Sequence, residues 1–250
     1  MNLERSVRTC GLDSVVLRLN PLVGEQCVSK GNCIWSMFRT EHFGNNGLCM
    51  KIRIISAKLA KKYIHKYHYS HGSHHSPSPC YGLVDNKHLV GVCMFAIPCS
   101  ERVRSKIFGE EYKSTVLELH RLHILDKMGM CNIESWFISQ CLHALRIDRP
   151  DIKCVVAFSD PSAGHKGIIY QATNAYYYGR SGKSTFYMDR DGRLHHPRQC
   201  GINITKEIAK TKGWIPTIRD GKYRYFWLLC GKVERKYWIS RLKVDTYFYP

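Results

Sequence analysis

At 250 residues, 44% hydrophobic and 23% charged, the chain is long enough to bury a core and too apolar for a disordered tail. Lys and Arg outnumber Asp and Glu by 38 to 20, and the net charge of +18 favours a polyanionic partner: DNA, RNA or an acidic membrane. No apolar run approaches the roughly 20 residues of a membrane span, and the opening MNLERSVRTCG lacks the apolar stretch of an export signal, so the expectation is a cytoplasmic protein with no membrane partner.

Residues 1–50 show weak periodicity and turn signals at Asn20-Pro21, Gly31-Asn32 and Gly44-Asn45-Asn46-Gly47, which predicts an irregular extension. Lys51–Ile55 alternates as a strand. Ser56 then caps a helix with Leu59, Tyr63, Ile64 and Tyr67 on its apolar side, ending near Tyr69. A Ser-, His- and Pro-rich loop covers 70–79. Tyr81–Val84 and Leu89–Ile97 flank the four-residue turn Asp85–His88 and predict a hairpin. Val116–Leu125 reads as a strand, and Asn132 caps a helix running through Arg146, stopped by Pro150. Cys154–Phe158 is a continuous apolar run, typical of a buried central strand. Gly164–Ala175 reads as a helix. Ser184–Met188 with the Asp191-Gly192 turn predicts one hairpin, and Thr205–Lys212 a short helix. Trp214–Ile218 and Tyr223–Leu229 predict a second hairpin about the Asp220-Gly221 turn. The alternation predicts a mixed α/β sheet within one domain.

The twelve cysteines contain no CxxC pair, so zinc knuckles are absent and reduced thiols packed as small hydrophobes are expected. Charge is uneven: net +7 over 51–115, −1 over 116–160 and +11 over 161–250. A near-neutral segment between two basic ones suits a reaction centre flanked by phosphate contacts, although solvated cations give the same counts.

Four clusters can carry chemistry. Five histidines, 65, 68, 71, 74 and 75, fall within eleven residues. His71, His74 and His75 read as an exposed loop. His68 and Tyr69, at a helix end before that loop, are site candidates for metal, base or phosphate chemistry. In the second cluster, Asp160 ends an apolar strand before a small-residue loop, where it serves as a base, a metal ligand, an amine anchor or merely a helix cap. In the third, Glu118 and Arg121 lie in a strand-like run, on opposite faces by period two. Arg121 then reaches a cofactor, a phosphate or Asp160, or lies on a surface edge. The fourth is aromatic and basic, Tyr176–Arg180, Tyr223–Trp227 and Lys236–Trp238. It suits base stacking, or sheet core in the case of Phe226 and Trp227.

Together, ELHRLHIL (118–125), NIESWFISQCLHALR (132–146) and PDIKCVVAFSDPSAGHKGIIYQATNAYYYGR (150–180), with His-Tyr-Ser at 68–70, resemble the phage Mom DNA-modification family over roughly residues 52–190. The resemblance implies a GNAT-like α/β fold with a splayed sheet. It implies a catalytic core over 51–190, after an extension over 1–50 and before a basic, aromatic, β-rich part over 191–250. It also implies an enzyme acting on the N6 amine of adenine in double-stranded DNA, adding a carbamoylmethyl group and protecting the DNA from restriction. The matching motifs give His68, Tyr69, Arg121, Asp160 and Tyr170 as active-site residues, with iron implied on His68, Tyr69 and Asp160. GNAT enzymes hold acyl-CoA on a glycine loop. The equivalent stretch here, Asp126–Asn132, has one glycine, so standard CoA use is not expected. Asn132 and Ser135 at the helix start, with His165, remain the candidates for holding an unidentified small-molecule donor. The alternatives are a GNAT N-acetyltransferase of a protein or small amine, disfavoured by the charge and the glycine loop, and a non-enzymatic DNA-binding protein.

Overall fold

A computed structural model describes residues 17–18, 41–43, 48–125, 132–199 and 202–250. The expected extension over 1–50 lies mostly outside these residues, and so does the loop 126–131. In chain order the elements are β1 (Leu17–Arg18), β2 (Glu41–Phe43), β3 (Leu48–Ile54), α1 (Ala57–Tyr67), β4 (Cys80–Asp85), β5 (His88–Ala96), α2 (Glu101–Phe108), β6 (Val116–Ile124) and α3 (Ile133–Asp148). Then come β7 (Cys154–Ser159), α4 (Ile168–Gln171), β8 (Tyr176–Arg180), β9 (Ser184–Met188), β10 (Leu194–His195), β11 (Arg198–Gln199), β12 (Ile202–Asn203), α5 (Lys206–Thr211), β13 (Ile215–Arg219), β14 (Tyr223–Leu228) and α6 (Lys232–Ser240). They fall into two compact units, Met1–Ala96 with His120–Leu145, and Ile97–Leu119 with Arg146–Pro250. β6 therefore contributes one half to each. The pairs β3/β4, β4/β5, β7/β14 and β14/β8 are antiparallel and β6/β7 is parallel, which gives the mixed α/β sheet the sequence predicts.

In the first unit β2, β3, β4 and β5 pair in that order. Ser56 caps α1 as expected: its backbone is extended and its side chain accepts from the Leu59 N–H at 3.2 Å. Ala60, Tyr63 and Ile64 on the buried face pack with Cys80, Val84, Leu89, Val92 and Met94. The β4–β5 turn is tighter than the four residues expected. Asp85 pairs with His88, leaving Asn86 and Lys87 at φ +44° and +72°. Both central residues are left-handed, the twist that suits a two-residue hairpin. α3 buries Phe137, Ile138, Cys141, Ala144 and Leu145. Burial pushes the Cys141 thiol well up, and it hydrogen-bonds with Cys93.

In the second unit β14 lies between β7 and β8, antiparallel to both. Phe108, Val156, Tyr178, Phe226 and Trp238 share its core, so Phe226 and Trp227 are sheet interior as expected. The helices α2 and α6 were not visible as patterns in the sequence. The predicted hairpin over 214–229 does not form. β13 pairs with β9 from Ile215↔Met188 to Arg219↔Ser184, while β14 pairs with β7 from Tyr223↔Ser159. The Asp220-Gly221 dipeptide has another cause: a Cβ at Gly221 would sit 1.7 Å from the Ser181 carbonyl oxygen. Glycine is there for close backbone approach, and the local turn signal mimicked a hairpin.

The helix expected over 164–175 is also absent. Gly164 and Gly167 adopt φ +75° and +78°, which a right-handed helix cannot pass through. What forms is a single 3-10 turn at Pro161–Ala163 and the one-turn α4. Cys80, Cys93, Cys99, Cys141, Cys154 and Cys230 are free, with Cys80, Cys93, Cys141 and Cys154 buried, in line with the packed-thiol reading. No helix of the described residues is long and apolar enough to cross a membrane.

Candidate active site

In the first unit, α1 ends at Tyr67 and His68 turns to an extended backbone, its N–H still bonded to the Ile64 carbonyl at 3.0 Å. The apolar face of the helix fixes this end, because the buried Tyr63 hydroxyl donates to the Val90 carbonyl at 2.7 Å. His68 is consequently only 7% exposed, while Tyr69, stacked on it at 4.3 Å, is 64% exposed. The Ser70 backbone N–H donates to His68 Nδ1 at 3.1 Å, and the Ser70 hydroxyl lies 2.8 Å from the same nitrogen. An amide can only donate, so Nδ1 carries the lone pair and the neutral ring holds its proton on Nε2.

Burial first, then the Arg121 guanidinium and the neighbouring rings of His123, His120 and His71, together lower the His68 pKa to about 4. Arg121 projects from β6 and ties down the histidine loop. Its Nε donates to the Gly72 carbonyl at 2.8 Å and its terminal nitrogen to the His120 carbonyl at 2.7 Å. His123 sits 6.2 Å from His68 and 5.7 Å from Tyr63, ring to ring, and His120 lies 5.6 Å from His74. The structure thus brings His68, Tyr69 and Arg121 together. The result is an uncharged imidazole donor in an electropositive surrounding, suited to a carbonyl or anionic group and unsuited to general-base work at neutral pH.

Asp160 and Tyr170 lie in the second unit. Asp160 follows β7 with extended backbone, and its carboxylate accepts from the Ser162 N–H at 2.9 Å. It caps a 3-10 turn, whereas a longer helix was expected there. Arg219 of β13 lies 3.6 Å from the same oxygen, and its Nε is 3.3 Å from the Ser162 hydroxyl. Tyr170, expected well inside a helix, is the third residue of one-turn α4, its ring 5.5 Å from both Tyr225 and Trp227. The Tyr225 hydroxyl donates to the Lys166 carbonyl and accepts from Gln171 Nε2 at 3.1 Å. A Cβ at Gly167 would meet the Tyr225 ring at 2.5 Å, so this loop requires glycine.

The donor-site candidates fare differently. Asn132 has φ +61°, outside the extended range of a capping residue, though its carbonyl takes the Trp136 N–H and the Ser135 hydroxyl at 3.0 and 2.9 Å. His165 is exposed, its backbone N–H on the Asp160 carbonyl at 3.2 Å. The loop before Asn132 lies outside the described residues. Of the residues the resemblance names for iron, His68 and Tyr69 belong to the first unit and Asp160 to the second. Among the described residues no group of three or more His, Cys, Asp or Glu is placed to hold a metal ion. Neutral His68, its Nδ1 lone pair taken by Ser70, has no ring lone pair left to give.

Sequence reasoning did not assign Arg219; it read Tyr225 only within the aromatic, basic cluster and Ser70 only within the His-Tyr-Ser motif. Arg219 and Tyr225 are more than fifty residues from Asp160 and Tyr170, and no local pattern connects them.

Fold and site define an α/β protein with a buried, uncharged histidine set beside an arginine. The chain belongs to the Mom protein family, whose model matches residues 49–250. It is 26% identical over 205 residues to the methylcarbamoylase Mom of Escherichia phage Mu, spanning 79% of this chain and 83% of that protein. Among solved structures it is similar to the ribosomal-protein-S18-alanine N-acetyltransferase of Escherichia coli, with TM-score 0.42 and 8% identity over 73% of this chain and 97% of that one. An N-acetyltransferase of Staphylococcus aureus Mu50 matches with TM-score 0.41 and 12% identity, over 72% and 99%.

Proposed function

We propose that the protein is a DNA-modifying transferase that adds a carbamoylmethyl-type group to the exocyclic N6 amine of adenine in double-stranded DNA and thereby shields that DNA from restriction. Membership of the Mom family and the net charge of +18 support a DNA substrate. The observation that carries the reading is the neutral His68, which offers an Nε2–H beside the positive charge of Arg121. A hydrogen bond from this group to the carbonyl oxygen of an acetamide-type donor stabilises the electron density that gathers there as N6 attacks the adjacent methylene. The new bond joins N6 to that methylene, the bond from methylene to leaving group breaks, and N6 gives up a proton.

By the family resemblance, Asp160 takes or orients that proton and Tyr170 positions the base. Arg121 attracts an anionic part of the donor. Because N6 lies inside a stacked pair, the adenine leaves the stack before reaction, and the exposed Tyr69 ring supplies a face for it. Mass spectrometry of nucleosides from plasmid isolated from expressing cells tests this. A deoxyadenosine heavier by a carbamoylmethyl group is expected. Unmodified deoxyadenosine from cells holding folded protein refutes the reading.

A further inference from the structure

Far along the chain, the second unit holds a cleft of about 360 Å³ lined by Tyr176, Tyr177, Arg235, Tyr247, Phe248 and Tyr249, among others. That volume is at the small end of ligand sites. Its floor is rigid: Tyr176 stacks on buried Phe226 at 5.0 Å, and Arg235 donates to the Tyr176 hydroxyl at 2.7 Å. Its rim is clamped at two points. The Tyr247 N–H bonds the Tyr177 carbonyl at 2.9 Å, and the Tyr249 hydroxyl bonds the Ala175 carbonyl at 2.9 Å. Between these anchors Phe248 is 98% exposed and Tyr247 58%. Exposing a whole phenyl ring on a fixed segment is costly for a monomer's surface unless it meets an apolar partner. The helix beside the cleft, α6, presents exposed Lys232, Arg235 and Lys236, and residues 161–250 carry net +11.

We propose that this cleft binds an unpaired nucleotide of a DNA strand, its base stacked on Phe248 and Tyr247 and its phosphate held by Arg235 and the neighbouring lysines. Aromatic faces with adjacent cations are the chemistry by which single-stranded segments are held without reading sequence. The inference rests on the DNA-modifying reading and adds a second contact to it, which holds an unpaired stretch of the strand. The cations fit a polyanion, and nothing in the cleft is acidic enough to favour a basic peptide.

The test uses the full chain and a single-stranded oligothymidylate containing one 2-aminopurine, with the matching duplex alongside. Wild type should bind the strand and quench the 2-aminopurine by stacking. Phe248→Ala, which removes no buried contact, should weaken binding at least about fivefold and abolish quenching without changing the salt slope. Arg235→Gln should lower that slope by about one. If wild type binds DNA and neither substitution alters affinity or quenching, the cleft proposal is overturned and the modification reading stands. Modified deoxyadenosine formed by Phe248→Ala with unchanged strand affinity has the same meaning. A concentration-dependent dimer lost in Phe248→Ala would make the cleft a self-association surface and overturn the proposal. No binding of either DNA at low salt overturns both readings.

Discussion

Acidification should cost this protein stability through His68, and the size of the loss follows from its surroundings. The ring titrates at about 4 in the folded chain against 6.5 for an unperturbed imidazole. A gap of this size is worth about 3 kcal/mol at most, at roughly 1.4 kcal/mol per pH unit. Because the folded value is the lower one, the unfolded chain takes up the proton first. The full stability is therefore present above pH 6.5, is lost as the pH falls through the window from 6.5 to 4, and is lost no further below it. Between pH 7 and pH 5 the expected loss is about 2 kcal/mol from this residue alone. Urea unfolding of wild type and His68→Gln at both pH values isolates it, since every other group titrates in both proteins. The variant should lose about 2 kcal/mol less than wild type. Equal losses, within about 0.5 kcal/mol, would refute the buried neutral imidazole, and with it the donor role assigned to His68. An NMR titration of His68 in the unaltered protein gives the same answer should the variant fold poorly.

Asp160→Asn should keep the cap on the Ser162 N–H, change stability by no more than about 1 kcal/mol by urea unfolding, and abolish adenine modification. Retained modification removes Asp160 from the chemistry. Tyr170→Phe keeps the ring contacts with Tyr225 and Trp227 and removes the hydroxyl, so a fall in modification without a fall in melting temperature is expected. Gly167→Ala combines a left-handed backbone with a 2.5 Å collision against the Tyr225 ring, and should destabilise by about 2–3 kcal/mol or more, measured by denaturant unfolding. DNA affinity should fall steeply with salt, with a log–log slope of several units. A flat titration contradicts phosphate-dominated binding.

The sequence disclosed those parts of the fold whose determinants are local. Ser56 before a 3.6-residue stripe located α1, and the run Cys154–Phe158 located a two-sided interior strand. Asn86-Lys87 marked a turn, although only the backbone showed that both residues are left-handed. Long-range pairing stayed hidden. Asp220-Gly221 carries the signature of a hairpin, yet its glycine answers to the Ser181 carbonyl, and the flanking strands go to separate sheets. The helix expected over 164–175 took in Gly164 and Gly167 because a sequence does not reveal the sign of φ. The site was half legible. His68, Tyr69 and Arg121 proved to be neighbours. The lone-pair assignment by Ser70 and the hold of Arg219 on Asp160 depend on coordinates.

The placement of β14 has a consequence for how the protein is made. This strand lies between β7 and β8 but follows both in the chain, with Tyr223 beside Ser159 and Arg180. On a translating ribosome, Val155, Val156 and Ala157 emerge long before the strand that covers their open edge. Until residue 228 has been synthesised, that side of the sheet is an unpaired, apolar template for association with other nascent chains. Assembly of the second unit is therefore a late, all-at-once event. A product broken off before Tyr223 would be material for proteases and would have no partial activity.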